Sequence, residues 1–67
     1  MMEIYINGSL REVENDLSIT ALLASLGMAG KPVIVELNEL AIFPREYGGT
    51  FITQGSRVEL VALAAGG

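Results

Sequence analysis

The sequence predicts a single α+β domain in which one main helix packs on one face of a mixed β-sheet. Three observations lead to this prediction: β-prone segments lie near both ends and in the middle of the 67 residues, a segment of helical periodicity separates them, and 51% of the residues are hydrophobic. The predicted order is β-β-α-β-β-β, with the last strand beside the first and parallel to it. The other face of the sheet is left open.

The first two strands are predicted to form a hairpin. Residues 3–7 alternate between polar and apolar, which directs Ile4 and Ile6 toward the core. Asn7-Gly8 supplies two residues that tolerate positive φ, as a type I′ turn requires. The return strand, residues 10–14, is charged, so we expect it at an edge of the sheet.

Residues 18–27 form the clearest helical segment. Its apolar residues recur at helical spacing, at Ile19, Leu22, Leu23 and Leu26. Ser18 can cap the free N–H groups of the first turn, and Gly27 supplies the left-handed residue that ends many helices. The helix is amphipathic and therefore needs a sheet to cover its apolar stripe.

Three further strands are predicted in the second half of the chain. Residues 32–38 are the most β-prone, and a turn at Asn38-Glu39 leads from them to a short strand at 41–43. Pro44 then starts a helical turn, which Gly48-Gly49 is expected to break.

The final predicted strand covers residues 57–63 and follows a tight turn at 54–56. Val58 and Leu60 face the core, whereas Glu59, Val61 and Leu63 alternate outward. Because the outward residues lie just before the carboxyl end, we expect them to form a docking site for a partner protein, with Glu59 steering a basic partner surface.

The composition excludes several classes of function. The chain has no Cys and no His, which argues against disulfides, thiolate nucleophiles and the usual metal sites, and is compatible with the cytoplasm. Eight acidic and four basic residues give a net charge of −4, which disfavours nucleic acid as a partner. We see no signal peptide and no apolar run long enough to span a membrane, so a cytoplasmic protein is expected.

No internal residue is predicted to be catalytic. Carboxylates that might act as an acid and base pair have no His, Lys or cleft nearby to tune them, so they are interpreted as solvated surface groups; they are Asp16, Glu36, Glu39 and Glu46. The glycine-containing turns lack the lysine of a phosphate-binding loop.

The carboxyl end carries the chemical hypothesis. We assign residues 1–63 to the folded domain and residues 64–67 to a flexible tail, which is either an ordinary frayed terminus or a reactive one. In the second case the carboxylate of Gly67 is the reacting group, because glycine offers the least hindrance to threading and to attack on an acyl-adenylate. The residues that would thread a partner's channel are Ala64, Ala65 and Gly66.

Two internal segments and the Gly-Gly end resemble the small sulfur carriers of thiamine biosynthesis, the ThiS-like relatives of ubiquitin. The segments are Val35-Glu36-Leu37-Asn38-Glu39 and Phe43-Pro44-Arg45-Glu46-Tyr47. The resemblance covers essentially the whole chain and implies a ubiquitin-like β-grasp fold. One departure is Gln54-Gly55-Ser56, where family members often have Asp-Gly-Asp.

The resemblance implies a cosubstrate rather than an enzyme. An E1-like adenylyltransferase of the ThiF type would adenylate Gly67 with ATP and magnesium, while the carrier itself binds no cofactor. Sulfur from a cysteine desulfurase would displace AMP and leave a thiocarboxylate, and a thiazole synthase of the ThiG type would take up that sulfur.

Two alternatives stay open at this point. The chain also resembles the small subunit of molybdopterin synthase, which shares the tail chemistry but has a different acceptor. It is similar as well to ubiquitin-like modifiers or plain binding modules, in which the Gly-Gly end forms an amide with lysine or does nothing. Within the second segment, Pro44 and Tyr47 have a structural interpretation, and Arg45 pairs either with a local carboxylate or with a partner.

Overall fold

The computed structural model describes residues 1–63, and this range contains five strands and one α-helix. In chain order the elements are β1 (Met2–Ile6), β2 (Ser9–Val13), α1 (Ile19–Ser25), β3 (Val33–Leu37), β4 (Leu40–Ile42), a 3₁₀ helix (Pro44–Gly49) and β5 (Arg57–Ala62). This order confirms the predicted α+β class and the predicted sequence of strands and helix.

The five strands form one mixed sheet in the order β2-β1-β5-β3-β4. β5 runs parallel to β1, with Ile6 opposite Val58, and antiparallel to β3. The two hairpins therefore flank the last strand, which becomes the central strand of the sheet. The parallel pairing of the first and last strands and the edge position of β2 are as the sequence predicts.

Both hairpins turn through residues with positive φ. Asn7 and Gly8 have φ values of 49° and 83°, and Asn38 and Glu39 have values of 50° and 72°. Positive φ at both central residues is the signature of the type I′ turn, whose twist matches that of the flanking strands. The first turn uses glycine at its second position, whereas the second turn places a glutamate there.

The helix α1 begins and ends as its sequence predicts. The Oγ of Ser18 accepts a hydrogen bond from the Ala21 N–H at 3.1 Å. At the other end, the N–H of Met28 donates to the Leu23 carbonyl at 2.8 Å, across Gly27 with φ of 73°. This is a Schellman motif. No helix within residues 1–63 is long and apolar enough to cross a membrane.

The core lies between α1 and one face of the sheet. Its fully buried side chains come from the helix and from β1, β3 and β5, and they are Ile4, Ile19, Leu22, Val35 and Val58. The alternation predicted for β1 and β5 is confirmed, because Ile4, Ile6, Val58 and Leu60 are buried. The face opposite α1 carries exposed side chains, so the sheet is covered on one side.

The 3₁₀ helix corrects one sequence prediction. Gly48 and Gly49 do not break the turn that Pro44 starts, because both glycines belong to the helix, and Thr50 is its C-cap residue. The Oγ1 of Thr50 donates to the Glu46 carbonyl at 2.8 Å, which satisfies a carbonyl of this short helix. The 3₁₀ helix packs against α1, with Gly48 beside Thr20.

Candidate functional site

The carboxyl-terminal part of β5 leads from the core to the candidate site. Val58 and Leu60 anchor the strand in the core, and Leu63, the last described residue, is exposed. The N–H of Leu63 donates to the Pro32 carbonyl at 3.0 Å, so the chain is held to this point. The predicted threading and reacting residues, Ala64, Ala65, Gly66 and Gly67, lie outside the described residues.

Two asparagine side chains bind the backbone of β5 from opposite sides. The Oδ1 of Asn7 accepts from the Leu60 N–H at 2.8 Å, and its Nδ2 donates to the Leu60 carbonyl at 3.2 Å. The Oδ1 of Asn38 accepts from the Arg57 N–H at 2.8 Å. Sequence reasoning identified both residues only as turn formers. It missed these bonds because a local motif does not reveal which distant strand lies beside its turn.

Glu59 and Val61 lie on the open face of the sheet, opposite α1. Val61 is 55% exposed and lies opposite Ile34, which is 47% exposed. Glu59 lies opposite Glu36, and like charges in this position repel each other. An exposed apolar pair beside an acidic pair favours contact with a partner surface that carries both apolar and basic groups.

The same face contains a depression of about 340 Å³ whose lining includes two charged side chains. Its lining residues are Tyr5, Gly8, Arg57 and Glu59. Arg57 and Glu59 are two positions apart on β5, so their opposite charges point to the same side. The depression can therefore pair with a carboxylate and a cation of a partner at the same time.

Leu63 borders a different surface from the other two predicted docking residues. It follows the end of β5 and lines a groove of about 490 Å³ beside the helix. Residues from α1, the loop after it, the start of β3 and the 3₁₀ helix complete the lining; they are Leu23, Met28, Gly30, Lys31, Pro32, Val33, Pro44 and Tyr47. Alternation predicts Glu59, Val61 and Leu63 on one face. In the structure, Glu59 and Val61 lie on the open face of the sheet, whereas Leu63 lines the groove on the other side.

The segment from Phe43 to Tyr47 is held together by its own contacts. The Glu46 carboxylate accepts from the Phe43 N–H at 2.9 Å, and the Arg45 guanidinium lies 5.2 Å from the centre of the Phe43 ring. Tyr47 is partly buried against the core, as its structural interpretation predicts. Arg45 therefore makes a local cation–π contact, which the sequence analysis had not considered for it.

The exposed carboxylates are spread over the surface. Asp16, Glu36, Glu39 and Glu46 are all exposed, in agreement with their interpretation as solvated groups. Within residues 1–63, no group of three or more His, Cys, Asp or Glu side chains is arranged to hold a metal ion.

Comparison with known proteins gives one family and one curated relative. The ThiS family model matches residues 4–67. A protein of Paramagnetospirillum magneticum named thiazole synthase is 36% identical over 67 residues, which is 98% of this chain. The chain spans only 20% of the length of that relative.

Two solved structures from Geobacter metallireducens have the same fold. The crystal structure of the thiamine biosynthesis protein ThiS superposes with a TM-score of 0.84 at 30% identity, covering 98% of this chain and all of that one (100%). The solution structure of a thiamine biosynthesis protein gives a TM-score of 0.81 at 30% identity, covering 98% of this chain and 88% of that one. The ubiquitin-like β-grasp fold implied by the resemblance is thereby confirmed.

Proposed function

The chain belongs to the ThiS family, and on this premise we propose that it is a sulfur carrier in thiamine biosynthesis, with the Gly67 carboxylate as its reacting group. The observation that carries the proposal is the family match, which extends through the double glycine to residue 67. The carrier acts as a cosubstrate: it delivers its carboxylate to partner enzymes and is regenerated when the sulfur has been handed on.

The proposed chemistry has two steps, activation of the Gly67 carboxylate and replacement of one of its oxygen atoms by sulfur. A carboxylate oxygen of Gly67 first attacks the α-phosphorus of ATP in an E1-like adenylyltransferase, and magnesium pyrophosphate leaves. The outer sulfur of a persulfide formed by a cysteine desulfurase then attacks the carbonyl carbon, and AMP leaves with the former carboxylate oxygen. A thiol such as free cysteine cleaves the resulting acyl disulfide, forms a disulfide with the inner sulfur and leaves the outer sulfur on Gly67. The result is a thiocarboxylate in which one oxygen has been replaced by sulfur. The carrier needs no bound cofactor of its own for either step.

We propose a thiazole synthase as the acceptor of this sulfur. In the relative from Paramagnetospirillum magneticum, a segment similar to this whole chain is part of a protein that is named thiazole synthase. A carrier and its acceptor that must meet repeatedly gain effective concentration when they are joined in one polypeptide. That relative therefore supports a functional pairing of the carrier with a thiazole synthase.

The surface around the end of β5 supports docking by the activating enzyme. Glu59 and Val61 offer charge and apolar area on the open face, and Leu63 offers apolar area on the groove side. Contacts on both sides of the departing chain would fix where the tail enters a partner. A tail of small residues then passes through a narrow channel without steric conflict.

The proposal is tested by the intact mass of the protein. Incubation with the activating enzyme, ATP, magnesium, cysteine and a cysteine desulfurase should raise the mass by one exchange of oxygen for sulfur, localised to the carboxyl-terminal peptide. A matched variant with one additional residue after Gly67 should gain nothing, because its glycine carboxyl group is an amide. Sulfur in the extended variant, or sulfur elsewhere in the chain, would rule the proposal out.

The two alternative functions are distinguished by the product that forms. A ubiquitin-like modifier would yield an amide conjugate to lysine, visible as a covalent adduct of higher mass. A molybdopterin synthase subunit would form the same thiocarboxylate but transfer its sulfur to a pterin precursor. Transfer to thiazole in the presence of thiazole synthase is the result that we expect, and the names of both structural neighbours favour it.

A further inference from the structure

We infer that Asn7 is a positioning residue for the reacting terminus. Its side chain holds the carboxyl-terminal half of β5 on the β1 side, where no backbone group within residues 1–63 pairs with the strand. The inference rests on the proposed function, since it concerns the direction in which the Gly67 carboxylate is presented. Asn7 lies far from the tail in sequence but is bound directly to Leu60, on the strand that leads to the tail.

The backbone pairing between β1 and β5 stops early. Its register ends at Ile6 opposite Val58, and the last backbone bond runs from the Asn7 N–H to the Val58 carbonyl at 2.9 Å. The turn through Gly8 then carries the chain away into β2. β5 continues through Ala62, so its second half extends beyond the end of its parallel neighbour.

The Asn7 side chain takes the place of the missing backbone. In a parallel ladder, the carbonyl of residue 7 would accept from the Leu60 N–H, and the N–H of the residue two positions later would donate to the Leu60 carbonyl. Here Oδ1 accepts the first bond at 2.8 Å and Nδ2 donates the second at 3.2 Å. The primary amide thus acts as one more peptide group of β1.

These bonds bear on how the tail is presented. Leu60 is held by Asn7 on one side, and β3 pairs with β5 on the other side as far as Val33 opposite Ala62. A strand fixed from both sides leaves the folded body in one direction. Binding of the tail by a partner then costs less conformational entropy than it would if β5 were loosely held. Asn7 therefore contributes to productive binding without touching the reacting atoms.

Asn38 supplies a matched comparison within the same chain. It also occupies the first position of a type I′ turn, with φ of 50° against 49° for Asn7. Its Oδ1 also accepts from a backbone N–H of β5, but at Arg57, where the strand begins. Substituting glycine at either position keeps the positive φ and removes the side-chain bonds. The Asn7 variant loses bonds near the carboxyl-terminal end of β5, whereas the Asn38 variant loses a bond at the start of the strand.

The test compares Asn7→Gly with Asn38→Gly in the complete chain. Amide hydrogen exchange should become about tenfold faster at Leu60 in the first variant only, as expected for loss of an ordinary hydrogen bond. In thiocarboxylate formation by the activating enzyme, Asn7→Gly should raise KM for the carrier about tenfold with kcat near the wild-type value, and Asn38→Gly should leave both parameters unchanged. Asn7→Asp, which keeps the turn but lacks the Nδ2 donor, is a second variant expected to raise KM.

Three outcomes would overturn the inference. The first is wild-type kinetics in Asn7→Gly, and the second is an equal rise of KM in both glycine variants, which would indicate general destabilisation. The third is an unchanged rate of amide hydrogen exchange at Leu60 in Asn7→Gly. That result would show that the Asn7 side chain does not protect the Leu60 N–H, whatever the activity of the variant. Failure of the wild-type chain to accept sulfur would instead refute the proposed function, and the positioning role would fall with it.

Discussion

The exposed side chain of Val61 does not contribute to the core of the folded domain. It is 55% exposed on the open face, two positions before Leu63, whereas its neighbour Leu60 is buried in the core. β-branched residues favour strands, which explains its presence in β5 but not an apolar side chain in water. We propose that contact with a partner accounts for this exposure, and a charge at this position tests the proposal.

We predict that Val61→Asp weakens association with the activating enzyme by about tenfold or more while the melting temperature changes little, because burying an unpaired carboxylate in an interface costs more than about 1.4 kcal/mol, a factor of about ten in affinity. Leu40→Asp is the matched control, because Leu40 is 70% exposed on the edge strand β4 and lies opposite Leu37, on the side of the sheet that faces α1. Binding by titration calorimetry measures the effect. Equal weakening in both variants, or none in Val61→Asp, would argue against docking at Val61.

At the scale of the element, α1 owes its stability to packing rather than to length. It has seven residues, and isolated helices shorter than about 12 residues are marginal in water. The Ser18 cap and the Schellman motif satisfy its ends, but burial of Ile19, Leu22 and Leu23 against the sheet holds it in place. Loss of that packing should therefore affect the whole domain.

Leu22→Ala should lower the free energy of unfolding by about 2–5 kcal/mol, because it leaves a cavity beneath the helix. Leu22 is 1% exposed, whereas Leu10 is 56% exposed, so Leu10→Ala is the control and should change stability by less than about 1 kcal/mol. Leu26, which is only partly buried, should give a smaller loss than Leu22. Urea denaturation measures all three. Similar losses for Leu22 and Leu10 would contradict this account of the core.

At the scale of the whole molecule, we propose that folding and chemistry belong to separate parts of the chain. The buried hydrophobic residues of the described range extend from Met2 to Leu60, and the proposed reacting residue, Gly67, lies outside that range. The side chains that surround the end of β5 are exposed and belong to the body. Stability and activity should therefore respond to different substitutions.

Deleting Gly66 and Gly67 tests this separation. We expect the melting temperature to stay within about four degrees of the wild-type value, because surface changes usually alter stability by less than about 0.5 kcal/mol. ATP–pyrophosphate exchange with the activating enzyme should disappear. Thermal denaturation and the exchange assay give the two readings, and Leu22→Ala is the reverse control. A large drop in melting temperature would mean that the tail contributes to the fold.

The sequence alone determined the local structure of this protein and the identity of its family. Alternation marked β1 and β5, and apolar spacing marked α1, because each signal depends on the chemistry of neighbouring residues. The tolerance of Asn7-Gly8 for positive φ marked the first hairpin, whereas Asn38-Glu39 was predicted only as a turn. The parallel pairing of first and last strands followed from the order of elements. The Gly-Gly end and two internal segments indicated the family.

The tertiary structure decided what depends on residues distant in sequence. It placed β5 at the centre of the sheet, brought Asn7 and Asn38 against its backbone, and put Leu63 in the groove beside α1. In the folded protein the 3₁₀ helix also includes Gly48 and Gly49, where local propensity predicted a break. Each of these features depends on which surfaces meet after the chain has closed on itself, and local sequence does not encode that directly. For the same reason, the positioning role inferred for Asn7 follows from the fold and not from the Asn-Gly motif.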